Sequence, residues 1–153
     1  MIGLVPHAAG RLQQHSFELC KPRRVVLEQR VERGGSRSIR RVIDNGEVWV
    51  RSFPEARGLH PAGEQPAWVL QAKLPRDELA ALSEAIAVSG FFDCAPEYRP
   101  DHAVFYAAKE VWTAHLGDRQ HTVAVRGRPI TDIPALASVA DALADALADA
   151  AYG

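Results

Sequence analysis

The chain has 153 residues, of which 47% are hydrophobic and 24% charged, and its formal net charge is −1. At this length a single domain buries roughly 68–70% of its unfolded surface, enough for a core without disulfides or metal. The balance excludes a globally basic nucleic-acid binder and an intrinsically disordered chain.

Residues 1–22 read as an N-terminal arm or extension, and residues 23–153 as a single domain. The start, "MIGLVPHAAG", has no long apolar stretch behind a basic segment, so it makes a poor signal peptide. The twin arginines of "PRRVV" lack the hydrophobic segment that export requires. No apolar run reaches the roughly 18 residues of a membrane-spanning helix. These features set the expectation of a cytoplasmic protein. Cys20 and Cys94 are far apart and form no CxxC, so reduced thiols are the plainer reading than a disulfide.

"RRVVLEQRVER" places Val25, Leu27 and Val31 on one face and Val26 on the other, which predicts a strand. The following "RGGS" predicts a turn, because glycine accepts positive φ. "RSIRRVIDNGEVWVRSF" predicts a hairpin over 36–53 around Asp44-Asn45-Gly46. In it Val48 and Val50 face one way, and Trp49 and Arg51 the other. Residues 54–67 form a loop rich in proline and glycine, long enough to suggest function or mobility. "AWVLQAKL" is a further strand.

"PRDELAALSEAIAVSGFF" predicts a helix. Pro75 suits the first turn, Asp77 and Glu78 suit the positive end, and Leu79, Leu82 and Ile86 recur at helical spacing. Gly90 ends it, and Phe91-Phe92 fold back onto the core. "DCAPEYRPDH" reads as a connection. Residues 103–116 and 121–127 resemble a second hairpin around Gly117-Asp118, in one of two registers. The first sets Trp112, Ala114 and Leu116 on the face of Val123 and Val125; the second sets His115 opposite His121. The last helix starts near Pro134, capped by Thr131 or Asp132. It buries Leu136, Val139, Leu143, Leu147 and Ala150 and exposes Asp141, Asp145 and Asp149. The whole predicts an α+β fold, a mainly antiparallel sheet of about five or six strands with both helices on one face.

Few residues carry chemistry. His115 and His121 can supply two metal ligands in the second register, but a catalytic zinc needs a third and a structural one a fourth. Asp118 sits at the turn tip, and His102 beside Asp101 joins only through the tertiary fold. Ordinary strand-end histidines are the plainer reading, so no metal and no cofactor is expected. Cys94 lies beside Asp93 and after two phenylalanines, the opposite of an electropositive thiol site. Ser36 and Ser38 have no nucleophile elbow, and Asp101 and Glu110 define no acid–base pair. The aspartate row 141/145/149 is straight, whereas calcium needs a curved loop of oxygens. No catalytic residue is assigned, and a non-enzyme is expected.

The basic cluster is the most distinctive surface feature. Arg30, Arg33, Arg37, Arg40 and Arg41 surround Gly34-Gly35. Arg33, Gly34, Gly35 and Arg37 are the candidate partner-binding residues, since loops on a rigid sheet often carry recognition. Glu28 and Glu32 dilute the charge. Aromatic residues are not interleaved with these arginines along the sequence, as a single-strand nucleic-acid binder requires.

From Val25 onward the chain resembles a group of small bacterial proteins that includes emfourin, the inhibitor of protealysin-type metalloproteases. "VERGGSRSIRRVIDNGEVWV" is similar to the family's strand, Gly-Gly turn and hairpin. "LPRDELAALSEAIAVSGFFD" is similar to its helix with a Phe-Phe end, "RQHTVAV" to a later strand, and "IPALASVADALADAL" to its last helix. The resemblance implies that "HTV" is a strand element and that the partner is a protein. The leading expectation is a non-catalytic protein-interaction domain, an inhibitor or accessory protein. The alternatives are a small metal-dependent enzyme using His115 and His121, and an arginine-mediated nucleic-acid adaptor.

Overall fold

The computed structural model describes residues 24–54, 66–100 and 108–152. The expected arm at 1–22, Cys20, most of the 54–67 loop, Asp101 and His102 lie outside those residues.

Strands β1 (Val25–Arg33), β2 (Ser36–Ile43) and β3 (Glu47–Phe53) form an antiparallel meander. Gly34 and Gly35 make the two-residue first turn, with φ of 54° and 87°, values that side chains resist. In the second turn the Gly46 amide donates to the Ile43 carbonyl at 2.9 Å, and the Asn45 side-chain oxygen accepts from the Glu47 amide at 3.0 Å. The expected hairpin over 36–53 is therefore present, with Val48 buried. β4 (Val69–Lys73) pairs with β3. Helix α1 (Arg76–Val88) follows, then a 3-10 turn at Phe91–Asp93, and β5 (Glu97–Tyr98). β6 (Lys109–Leu116) and β7 (Arg119–Arg126) form the second hairpin, and helix α2 (Pro134–Tyr152) ends the described chain.

Among the described residues seven strands form one sheet in the order β4-β3-β2-β1-β6-β7-β5. The count exceeds the expected five or six, and the sheet is mixed. β5, from the stretch expected to be a connection, lies parallel to β7, with Glu97 opposite Ala124 and Tyr98 opposite Val125. Two backbone pairings need no hydrophobic pattern, so nothing in the local sequence marks them.

Both helices join one face of the sheet in a single core. Leu27, Val42, Val48, Ala114, Trp112, Val123 and Val125 pack there with Leu82 and Ile86 of α1 and Leu136, Val139 and Leu143 of α2. Phe91 folds back as expected and is fully buried. Two details differ. The β1–β2 register shifts between Val25 and Leu27, and this bulge brings Val26 into the core rather than onto the other face. At the start of α2, Thr131 and Asp132 belong to a 3-10 turn (Ile130–Asp132), and the Ile133 carbonyl accepts the first helical bond, from Ala137 at 2.9 Å. Neither expected residue is the cap. Farther along, Ala146 is buried and Leu147 only half-buried.

The helices bring like charges together on their outer surface. The Glu78 carboxyl is pushed above the usual range by lost hydration, then by the charge and hydrogen bond of Asp149, with Asp77 and Asp145 adding to it. Asp141, Asp145 and Asp149 are all exposed, as the helical spacing predicts. No helix among the described residues is long and apolar enough to cross a membrane.

Candidate binding surfaces

The register of the second hairpin decides the histidine question. Trp112 pairs with Val123, Ala114 with His121, and His115 with Gln120. Paired residues share a face and neighbours along a strand alternate, so His115 and His121 project to opposite sides of the sheet. They cannot ligate one metal. His121 lies on the helix side, where its Nε2 is 2.8 Å from the Cys94 carbonyl and its ring meets Phe91 edge-on at 5.8 Å. It is a packed histidine that ties β7 to the 3-10 turn that follows α1. Cys94 is a free, half-buried thiol whose Sγ lies 3.7 Å from the Gly90 carbonyl. No group of three or more metal-ligating side chains occurs among the described residues.

The same alternation separates the candidate partner-binding residues. Arg33 pairs with Ser36, and Glu32 with Arg37. Arg33 therefore lies on the helix-side face and Arg37 on the opposite one. Gly34 and Gly35 join them at the tip, both exposed. The two arginines project to opposite faces of the sheet, and both border the cleft at this end of it.

The face turned away from the helices carries arginines stacked on rings. The Arg37 guanidinium sits 4.3 Å from the centre of the Phe53 ring, and Arg41 lies 4.6 Å from that of Trp68. Arg51 lies between, 5.0 Å from Phe53 and 5.7 Å from Trp68, and its Nε donates to the Pro66 carbonyl at 2.9 Å. Sequence order hides this interleaving. Phe53 is opposite Arg37 only through the β2–β3 pairing, and Trp68 arrives from beyond the long loop. Arginine and aromatic residues do alternate in space, contrary to the linear expectation.

Glu28 anchors the middle of this face. It accepts from Arg30 Nε at 2.6 Å and from Arg41 Nε at 2.7 Å. Partial burial pushes its carboxyl up, but the two hydrogen bonds and the two positive charges outweigh that and hold it below the usual range. A lowered carboxylate adds stability above its unfolded pKa and loses it as pH falls through the folded value. Glu28→Gln is expected to lower stability by about 1 kcal/mol at pH 7, the scale of a solvent-screened charged pair. The gap between the variant and the native chain should close as pH falls below about 4. Denaturant midpoints measured across pH check this, and a gap that persists in acid rules the ion pair out as its source.

On the helix side, a polar belt crosses the sheet. Arg40 Nε donates to Gln71 Oε1 at 3.0 Å, and its Nη1 donates to Gln29 Oε1 at 2.9 Å. Gln29 Nε2 donates to Glu110 Oε1 at 3.4 Å, and Trp112 Nε1 donates to the same oxygen at 3.2 Å. Arg33 Nη2 reaches Glu110 Oε2 at 3.8 Å. The sequence offered one signal for this belt: Gln29 interrupts the Leu27–Val31 apolar stripe. No protein-family model matches the chain, and no curated protein aligns with it closely enough to count as a relative.

Proposed function

We propose that the chain is a non-catalytic protein-interaction domain, an inhibitor or accessory protein, that takes an acidic partner on the face turned away from the helices. The observation that supports this reading is the stacked array of Arg37, Phe53, Arg51, Trp68 and Arg41. The Arg37 guanidinium, held against the Phe53 ring, loses less freedom on pairing with a carboxylate and keeps its planar edge for bidentate bonds, while Glu28 and the Pro66 carbonyl hold Arg41 and Arg51 in place beside it. A cytoplasmic setting, in which Cys94 stays reduced, belongs to the same reading. The interleaving of arginines and rings also favours a second reading, a single-stranded nucleic acid on the same face.

Affinity capture from native cell extract, with and without nuclease, tests both. Arg37→Ala is expected to weaken capture of the protein partner several-fold at low salt, and less at high salt. Arg33→Ala, on the other face, should leave capture unchanged. A metalloprotease among the retained proteins supports the inhibitor form. Capture abolished by nuclease moves the conclusion to nucleic acid, and equal capture by Arg37→Ala and the native chain removes this face altogether.

A further inference from the structure

At the Gly34–Gly35 end of the sheet the helix-side face is no longer buried: Val31 is half-exposed, and Arg33 and Ser52 are exposed. A cleft of about 440 Å³ opens there, within the size range of small-molecule sites. Its helix-side lining comes from three adjacent strands, Gln29 and Val31 of β1, Ser38 and Arg40 of β2, and Val50 of β3, while Arg37 and Phe53 border it from the other side. Strand pairing sets Gln29 beside Arg40, and Arg40 beside Val50. We propose that this cleft binds a small organic oxyanion, a carboxylate or phosphate ester whose head pairs with Arg40 and Arg33 while its apolar body lies on Val31 and Val50.

Arg40 is the reason. Its guanidinium is half-buried, and burial lowers its pKa, yet an arginine side chain stays charged. Its two hydrogen bonds go to the amide oxygens of Gln29 and Gln71, both neutral. No ion pair to Arg40 is formed among the described residues, in which five arginine–carboxylate pairs occur elsewhere. A partly desolvated cation with only neutral partners lacks a counter-ion. The amides fix the guanidinium through Nε and Nη1, which leaves Nη2 to a ligand.

Glu110 does not supply the missing charge. Its Oε1 accepts from Gln29 and Trp112, so it stands behind Gln29 and turns that amide's oxygen toward Arg40. Its contact with Arg33 is long, 3.8 Å, and the Arg33 side chain is 67% exposed. Arg33 is therefore placed at the rim to reach over a bound anion. Ser38 and Ser52 oppose each other across β2 and β3 and add hydroxyls beside the head group. Two cations against one carboxylate favour an anion, and the valines exclude a bare hydrated ion as the best ligand. Arg40 and Arg33 lie on the helix side of the sheet and the stacked arginines on the other, and the two surfaces meet at the edge of the cleft, which Arg37 and Phe53 also line.

Titration calorimetry at fixed ionic strength, with phenyl phosphate, benzoate, inorganic phosphate and neutral benzyl alcohol, tests the proposal. One of the two aromatic anions should bind at one per chain, about tenfold or more tighter than benzyl alcohol, and tighter than inorganic phosphate. Which anion wins identifies the head group. Arg40→Gln should weaken it by about tenfold or more and Arg33→Gln by a few-fold, while Arg30→Gln on the opposite face should leave it unchanged. Amide shift mapping of the native chain locates the site without any variant, with shifts expected at Ser38, Arg40 and Val50. Failure of both aromatic anions to saturate by about 10 mM overturns the proposal. So does equal binding by Arg40→Gln, or a shift pattern confined to other strands.

Discussion

Leu143→Ala should lower stability by roughly 2–5 kcal/mol, whereas Asp145→Ala, two residues away, should change it by no more than about 0.5 kcal/mol. Leu143 is 3% exposed and sits between Val139 and Ala146 in the core. Truncation removes three carbons' worth of transfer energy and leaves a cavity, because neighbours held by both helices and the sheet collapse only in part. Asp145 faces solvent and is among the charges that push Glu78 up. Its removal relieves repulsion, so the small change should be stabilising at neutral pH. Urea midpoints with a common slope check both variants. Equal losses for the two would mean that α2 packs through a different face.

The elements that the sequence made legible are those in which pattern and turn chemistry agree. In the 36–53 hairpin, β-branched alternation and Asp-Asn-Gly point the same way, and β2 and β3 follow. In α2, the spacing of Leu136, Val139 and Leu143 alone defines the buried side. Legibility fails where one backbone event overrides a pattern. The β1 bulge turns Val26 inward, and β5 is added to the sheet by two pairings. The second hairpin offered two registers with similar alternation. Burial of Trp112 against Val123 selects one, since the other would turn the indole to the far face.

The binding surfaces were less legible because strand pairing assembles them across long separations. Glu110 is 81 residues from Gln29, and Gln71 is 31 from Arg40. The arginine cluster was visible as composition, but not its division. A two-residue turn sends flanking side chains to fixed sides of the sheet, so Arg33 and Arg37 part company however close they are in sequence. The same rule joins Arg37 to Phe53 and separates His115 from His121.

Gly46→Ala should destabilise the fold by roughly 2–5 kcal/mol, whereas Gly34→Ala should cost only about 1 kcal/mol. Both glycines have positive φ, 92° and 54°, so both substitutions strain the backbone. They differ in surroundings. A Cβ on Gly46 would lie 2.3 Å from the Leu74 carbonyl oxygen, and nothing stands within 4 Å of one on Gly34. The obstacle at Gly46 is backbone and cannot swing aside. The Leu74 amide donates to the Gly46 carbonyl at 2.8 Å, and Leu74 itself is buried where β4 runs into α1. Relief of the clash must therefore pull the β2–β3 turn away from Leu74, lengthen that bond and loosen the entry to α1. Amide exchange gives a local readout besides the global midpoint: protection of the Leu74 amide should fall more than the loss of overall stability accounts for. Gly46→Ala and Gly34→Ala with matching midpoints would show that the turn does not press on Leu74, and that positive φ is the whole of the glycine requirement at both sites.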